Sequence, residues 1–174
     1  VRKGVSKAIA GVQSAGARVV LITGDNAQTA LSIAQEVGIA QEDDVALTGD
    51  DIVSLSDEEL LVALEDVRVF ARVLPNQKMR IATVLQKKGE IVAMTGDGIN
   101  DAPALRRANI GIAIGSGTEV AKEASDLVLV NDSFETIYAA IEEGRRIIGN
   151  LRKIVGYLLS TSLTEVALLG TALI

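Results

Sequence analysis

The chain has 174 residues, 48% of them hydrophobic, and a formal net charge of −6, which allows one compact domain with a real core and argues against a general nucleic-acid binder. With no Cys there is no disulfide or thiolate metal site, and with no His there is neither a Ser-His-Asp triad nor a His-bound zinc. Carboxylates remain as acid/base groups and metal ligands, and their hard oxygens suit an ion of the Mg²⁺ kind.

Only two Phe and two Tyr are present, so the core is Val, Ile, Leu and Ala, the usual filling of parallel sheets under helices. Sixteen glycines against two prolines point to tight strand-to-helix turns. Val1, Val5, Ala8, Ile9 and Val12 recur at helical spacing until Gly16, an amphipathic opening unlike a signal peptide. Residues 17–22 read as a buried strand, Thr23-Gly24-Asp25-Asn26 as a turn, and Ala27 to Val37 as a helix closed by Gly38. Residues 40–51 read as an acidic excursion, and Ser56 with Glu59 opens a further helix through Leu64 as a capping box.

The alternation repeats with a strand over 67–71, a helix over 76–87 and a strand over 91–94 that runs into Thr95-Gly96-Asp97-Gly98. Strands over 110–114 and 127–130 follow, with a short helix near 119–124 between them. Strands alternating with helices imply a parallel α/β sheet with right-handed crossovers.

From Phe134 the pattern becomes a charged amphipathic helix, and after Arg152-Lys153 the run Ile154 to Ile174 holds one ionisable residue, Glu165. Such a run is long enough to cross a bilayer, and the basic residues before it place residues 1–153 on the cytoplasmic side. A chain that opens without Met and stops inside an apolar run reads as a piece of a longer protein.

The densest cluster of chemistry is Thr95-Gly96-Asp97-Gly98-Ile99-Asn100-Asp101-Ala102-Pro103-Ala104-Leu105. It sets two carboxylates four residues apart at a strand end, beside glycines that let backbone N–H groups approach a ligand. Asp97, Asn100 and Asp101 can converge there on a metal-bound phosphate. Thr23-Gly24-Asp25 has the same strand-to-helix setting, which suits a hydroxyl bonding a phosphoryl oxygen at a helix N-terminus. Thr48-Gly49-Asp50 follows only a short apolar stretch and reads as a turn and cap. Lys78 and Arg72 are cations near the start of a helix, able to offset phosphate charge.

Together these strings, with Ala71-Arg72-Val73-Leu74-Pro75-Asn76-Gln77-Lys78 and Ile114-Gly115-Ser116-Gly117-Thr118-Glu119, resemble the P-type cation-transporting ATPases of the haloacid dehalogenase superfamily, in the calcium-pump and sodium/potassium-pump group. The resemblance implies a Rossmann-like domain whose N-terminal part is absent. It divides the chain into the C-terminal part of a phosphorylation domain (1–133), a connecting stalk helix (134–153) and a membrane helix (154–174). It implies that Thr23 bonds the phosphoryl group, that Gly24 and Asp25 line the nucleotide site and that Arg72 reaches ATP. Lys78 would balance the charge of an aspartyl-phosphate, Asp97 would bind Mg²⁺, Asn100 would contact phosphate and Asp101 would hold Lys78 and the ion site.

Glu165 matches a transported-cation ligand, with Ca²⁺ as the first candidate and Na⁺, K⁺ or H⁺ as alternatives. The partners implied are ATP, the cation, the bilayer and the rest of the pump chain. Two departures stand out. The nucleophile motif D-K-T-G-T does not occur, so the chain alone is expected to be inactive. Ser162 stands where calcium and sodium pumps commonly carry Asn. The rival readings are a soluble Mg²⁺-dependent phosphatase of the same superfamily and a non-catalytic nucleotide-binding regulatory fragment.

Overall fold

A computed structural model describes residues 4–172; Val1 at the opening of the first helix and the last two residues of the apolar run lie outside them. The first half alternates α1 (Val5–Ser14), β1 (Leu21–Ile22), α2 (Ala27–Val37), β2 (Ala46–Thr48), α3 (Gly49–Ser54), α4 (Asp57–Asp66), β3 (Val69–Ala71) and α5 (Pro75–Lys87). The second half runs β4 (Ala93–Gly96), a 3-10 turn at Ile99–Asp101, α6 (Ala102–Arg107), β5 (Ile110–Ile114), α7 (Glu119–Glu123), β6 (Leu127–Leu129) and α8 (Glu135–Ala172).

The strands form two all-parallel sheets, ordered β1-β3-β2 and β4-β5-β6. In the first, β3 is central, with Val69 beside Leu21 and Phe70 beside Leu47. Strand alternation sends successive β3 side chains to opposite faces. Val69 and Ala71 meet Ala30 and Ala34 of α2, while Phe70 packs among Ile52, Leu60, Leu64 and Ile81 of α3, α4 and α5. The small residues of α2 let that helix lie close to the sheet, and the bulky ones on the other face fill the wider gap beneath three helices. In the second sheet Leu105 of α6, Ala113 of β5 and Ala121 of α7 form a smaller core.

Two differences from the sequence reading concern local extent. The acidic excursion contains a strand and a helix: β2 pairs with β3, and Thr48 caps α3 in a reciprocal box with Asp51. Three strand residues carry too little periodicity to announce themselves. The strand expected over 17–22 is regular only at Leu21–Ile22, because β1 has one neighbour and its other edge is unpaired.

The last helix meets expectation. Helix α8 runs unbroken for 38 residues through Gly149 and Gly156, and it is long and apolar enough to cross a membrane. Among the described residues its apolar stretch buries nothing against the domain, with Ile154, Leu158 and Leu169 exposed. Its first turns are docked against α1. The Tyr138 ring lies over Gly11, where a Cβ would come within 2.9 Å of the ring, and Arg145 donates to the Ala15 carbonyl at the end of α1.

Candidate functional site

In parallel α/β sheets the turns after the strands gather at the carboxyl edge, and ligands bind where neighbouring strands diverge. Here the turns after β1 and β4 meet in that way. A cavity of ≈ 250 Å³ is lined by Ile22, Thr23 and Gly24 from the first sheet, Thr95, Gly96 and Asp97 from the second, and by Lys78, Asp101 and Ile114. Both β1 and β4 are edge strands, so the cavity lies between two unpaired edges.

Each of these side chains is placed by local structure. Thr23 follows β1, and its amide still bonds the Phe70 carbonyl at 2.9 Å, as a continuation of the strand pair. Its hydroxyl accepts from the Asp25 amide at 3.1 Å and donates to Asp25 Oδ2 at 3.2 Å, which folds the turn back on itself. Asn26 then caps α2 by accepting from the Thr29 amide at 2.9 Å. The turn backbone is stitched to the turn after β3: Arg72 N–H donates to the Asp25 carbonyl at 2.8 Å and Val73 N–H to the Thr23 carbonyl at 3.0 Å.

Lys78 sits in the first turn of α5. Its Nζ meets Asp101 Oδ1 at 2.7 Å, with both side chains mostly buried. The other Asp101 oxygen accepts from the Gly98 amide at 3.2 Å. Both Asp101 oxygens are thus engaged within the protein. Asp97 is exposed at the end of β4 and faces the cavity, while its carbonyl accepts from the Thr118 amide at 2.8 Å. Gly117 must be glycine here, since a Cβ would lie 2.9 Å from that carbonyl. Gly96 is equally constrained, its Cβ position lying 2.5 Å from the Asp101 Cβ.

The donor set suits Mg²⁺, which takes one or two carboxylates and completes its shell with water and phosphate oxygens. Asp97 has the open carboxylate for it. No group of three or more acidic side chains that could hold a metal ion occurs among the described residues.

Of the residues picked out from the sequence, Thr23, Gly24, Lys78, Asp97 and Asp101 converge on the cavity. Asp25, Arg72 and Asn100 are exposed beside it without lining it, and Glu165 is exposed far along α8. Thr95, Gly96 and Ile114 line the cavity as well. The sequence reading gave Thr95 and Ile114 no individual role, although both stand inside strings it singled out, and it took Gly96 only as a glycine that lets backbone N–H groups approach a ligand.

Comparison with known proteins agrees with this fold. Profiles described as haloacid dehalogenase-like hydrolase match residues 1–109 and 78–141. The chain is 50% identical over 169 residues to the probable cation-transporting ATPase F of Mycobacterium tuberculosis, covering 94% of this chain and 19% of that protein. It is 44% identical over 173 residues to calcium-transporting ATPase 1 of Lactococcus lactis, covering 99% and 20%. A crystal structure of a zinc-transporting PIB-type ATPase in an E2.Pi state superimposes with a TM-score of 0.68 at 33% identity, over 88% of this chain and 21% of that one. The chain thus spans about a fifth of the length of the relatives it matches. It belongs to the haloacid dehalogenase-like hydrolase family, in which its strong relatives are P-type cation-transporting ATPases.

Proposed function

We propose that this chain is the C-terminal part of the phosphorylation domain of an ATP-driven cation pump, joined through a stalk helix to a membrane helix. The observation that carries the reading is the meeting of Thr23, Lys78, Asp97 and Asp101 at a cavity between two bare strand edges. A parallel strand between β1 and β4 would join the two sheets into one, and an aspartate at its carboxyl end would face all four side chains. That strand is the place for the nucleophile of an aspartyl-phosphate cycle, a residue this chain does not supply.

The residues then divide the work of phosphoryl transfer, which is mainly positioning and charge neutralisation. The Thr23 hydroxyl donates to a phosphoryl oxygen, exchanging its bond to Asp25 for one to the substrate. Lys78, pinned by Asp101, presents a fixed positive charge to the same group. Asp97 would hold Mg²⁺, and the ion would offset negative charge on the phosphoryl oxygens. Arg72 and Asp25 stand at the rim, where a nucleotide would extend outward, and Asn100 stands beside the phosphate.

Helix α8 carries the coupling. Residues 134–153 form the stalk on the cytoplasmic side, and the apolar run beyond Ile154 enters the membrane with Glu165 as cation ligand. Ca²⁺ is the proposed cargo, in line with the relative named as calcium-transporting. A soluble phosphatase is the weaker reading, since it leaves the uncovered apolar stretch of α8 in water.

The test is γ-labelled ATP given to the full-length protein in the presence of Mg²⁺ and cation. An acid-stable, hydroxylamine-labile label on the protein is expected. Its absence under all cation conditions overturns the reading.

A further inference from the structure

The Thr48-Gly49-Asp50 string reads in the sequence as a turn and a cap, and it does cap α3. It also touches the site's frame. Gln77, one residue before Lys78, is the buried polar side chain of the described residues, at 6% exposure. Its Nε2 donates to the Gly49 carbonyl at 2.9 Å, and its Oε1 accepts from the Leu74 amide at 2.7 Å, at the N-terminus of α5. Both ends of the amide are therefore used, one on each of two separate chain segments.

Gly49 is held to glycine by the same neighbours. A Cβ there would overlap the Arg72 carbonyl and come within 2.6 Å of Gln77 Oε1. Arg72 itself is in the left-handed region, with φ 50, a conformation that non-glycine residues keep only when their surroundings impose it. Its N–H is fixed to Asp25, and its carbonyl lies against Gly49. The turns after β1, β2 and β3 thus stack on one another, and Gln77 ties that stack to the first turn of α5.

We infer that Gln77 is a positioning residue for phosphoryl transfer: it clamps the start of α5 to the Gly49 turn and so fixes where Lys78 presents its charge. The inference rests on the phosphate-site reading above. Lys78 follows Gln77 directly, and its amide bonds the Leu74 carbonyl at 3.0 Å. A shift of the α5 N-terminus therefore moves the ammonium group away from Asp101. Small displacements of a charged group in such sites weaken transition-state contacts by factors of ten or more.

The test uses full-length protein in detergent with Mg²⁺ and orthovanadate, an analogue of the transferring phosphoryl group. The quantity read is the vanadate concentration that half-protects the protein from limited proteolysis. Gln77→Met keeps the volume and removes both hydrogen bonds, and it is expected to raise that concentration about tenfold. Lys78→Met should raise it at least as much. The double variant should match Lys78→Met alone, since Gln77 acts through the lysine. Gly49→Ala, acting from the other side of the contact, should reproduce the Gln77→Met shift. An unchanged value for Gln77→Met beside a weakened Lys78→Met overturns the positioning role, and so does simple additivity of the two. A wild-type protein that vanadate does not protect overturns the phosphate site itself, which separates the two failures.

Discussion

Lys78 Nζ lies 2.7 Å from Asp101 Oδ1, with only 16% and 17% of the two side chains exposed. The pair joins the first turn of α5 to the turn after β4, and so ties the first sheet to the second. A mostly buried ion pair is weak evidence of net stability, because desolvation offsets much of the attraction. Breaking it from one side is different, since the remaining charge is stranded.

Asp101→Ala is therefore expected to lower stability by about 2 kcal/mol, a fall of roughly 5 °C in Tm. It also frees the Gly98 amide, and phosphoenzyme formation should disappear. Adding Lys78→Met to that variant should recover part of the lost Tm while leaving phosphorylation absent. Thermal unfolding in detergent checks the first point and labelled ATP the second. If Lys78→Met lowers the Tm further, the lysine is held by something other than Asp101.

Asp97 gives the opposite pattern. It is exposed, and its proposed task is to bind an ion, so Asp97→Asn should change stability by less than about 0.5 kcal/mol. Phosphorylation by ATP should nevertheless be lost at ordinary Mg²⁺. A variant with normal phosphoenzyme levels would remove Asp97 from the metal site.

These two aspartates also show how far the sequence is legible. The string from Thr95 to Leu105 announces the site because its glycines, carboxylates and position after an apolar strand all agree. The proposed split of roles between Asp97 and Asp101 depends on Lys78, 23 residues upstream of Asp101, and that pairing was available only through family resemblance. The parallel α/β class and the long last helix follow from hydrophobic periodicity. The Ala46–Thr48 strand does not, because three half-buried residues show no period and the neighbouring acidic residues mask them. The Gln77 clamp was missed for a related reason. A glutamine in the first turn of a helix looks like a solvated residue, and only the fold brings Gly49 against it.

Acid sensitivity follows from four carboxylates. Asp57 is held below the usual carboxylate range by hydrogen bonds from Lys87 and then Arg80, and Glu65 by Lys88. Asp51 is lowered by the Thr48 hydroxyl and amide, and Glu59 by the amide and hydroxyl of Ser56. A carboxyl whose folded value is depressed contributes its full stabilisation above the unfolded value, near pH ~4, and loses it as pH falls through the folded value. The Tm contribution of these groups should be flat from neutral pH down to about 5 and should fall below about 4. Asp57→Asn should make that fall shallower. An acid limb as steep as that of the wild type would show that the Lys87 and Arg80 contacts add nothing in solution.

The last prediction concerns the link between the phosphate site and the membrane. Helix α8 is unbroken over Glu135–Ala172, and its first turns are fastened to α1. The Tyr138 ring over Gly11 and the Arg145 contact with the Ala15 carbonyl fix the helix at two heights. Tyr138 O–H also donates to Glu142 Oε1 at 2.8 Å, on the same helix. A helix held in this way would transmit a tilt of the domain as a lever, since no Pro interrupts it and the helix continues through Gly149 and Gly156. Glu165 lies eleven residues beyond Ile154, roughly 16 Å along the axis, which is near the middle of a bilayer if the apolar run spans it. A carboxylate at that depth is costly unless it has a partner, and a dehydrated cation or a proton provides one. Glu165→Ala in the full-length protein is therefore expected to spare phosphorylation by inorganic phosphate, which needs the nucleophile and the cavity residues but no membrane cation ligand. It should abolish the cation-dependent activation of phosphorylation by ATP. Tyr138→Ala should instead leave the cation concentration for half-activation within about twofold of wild type and slow the activation itself, because it loosens the lever and leaves the ligand in place. If Glu165→Ala keeps wild-type cation dependence, Glu165 is a structural residue and α8 transmits nothing through it.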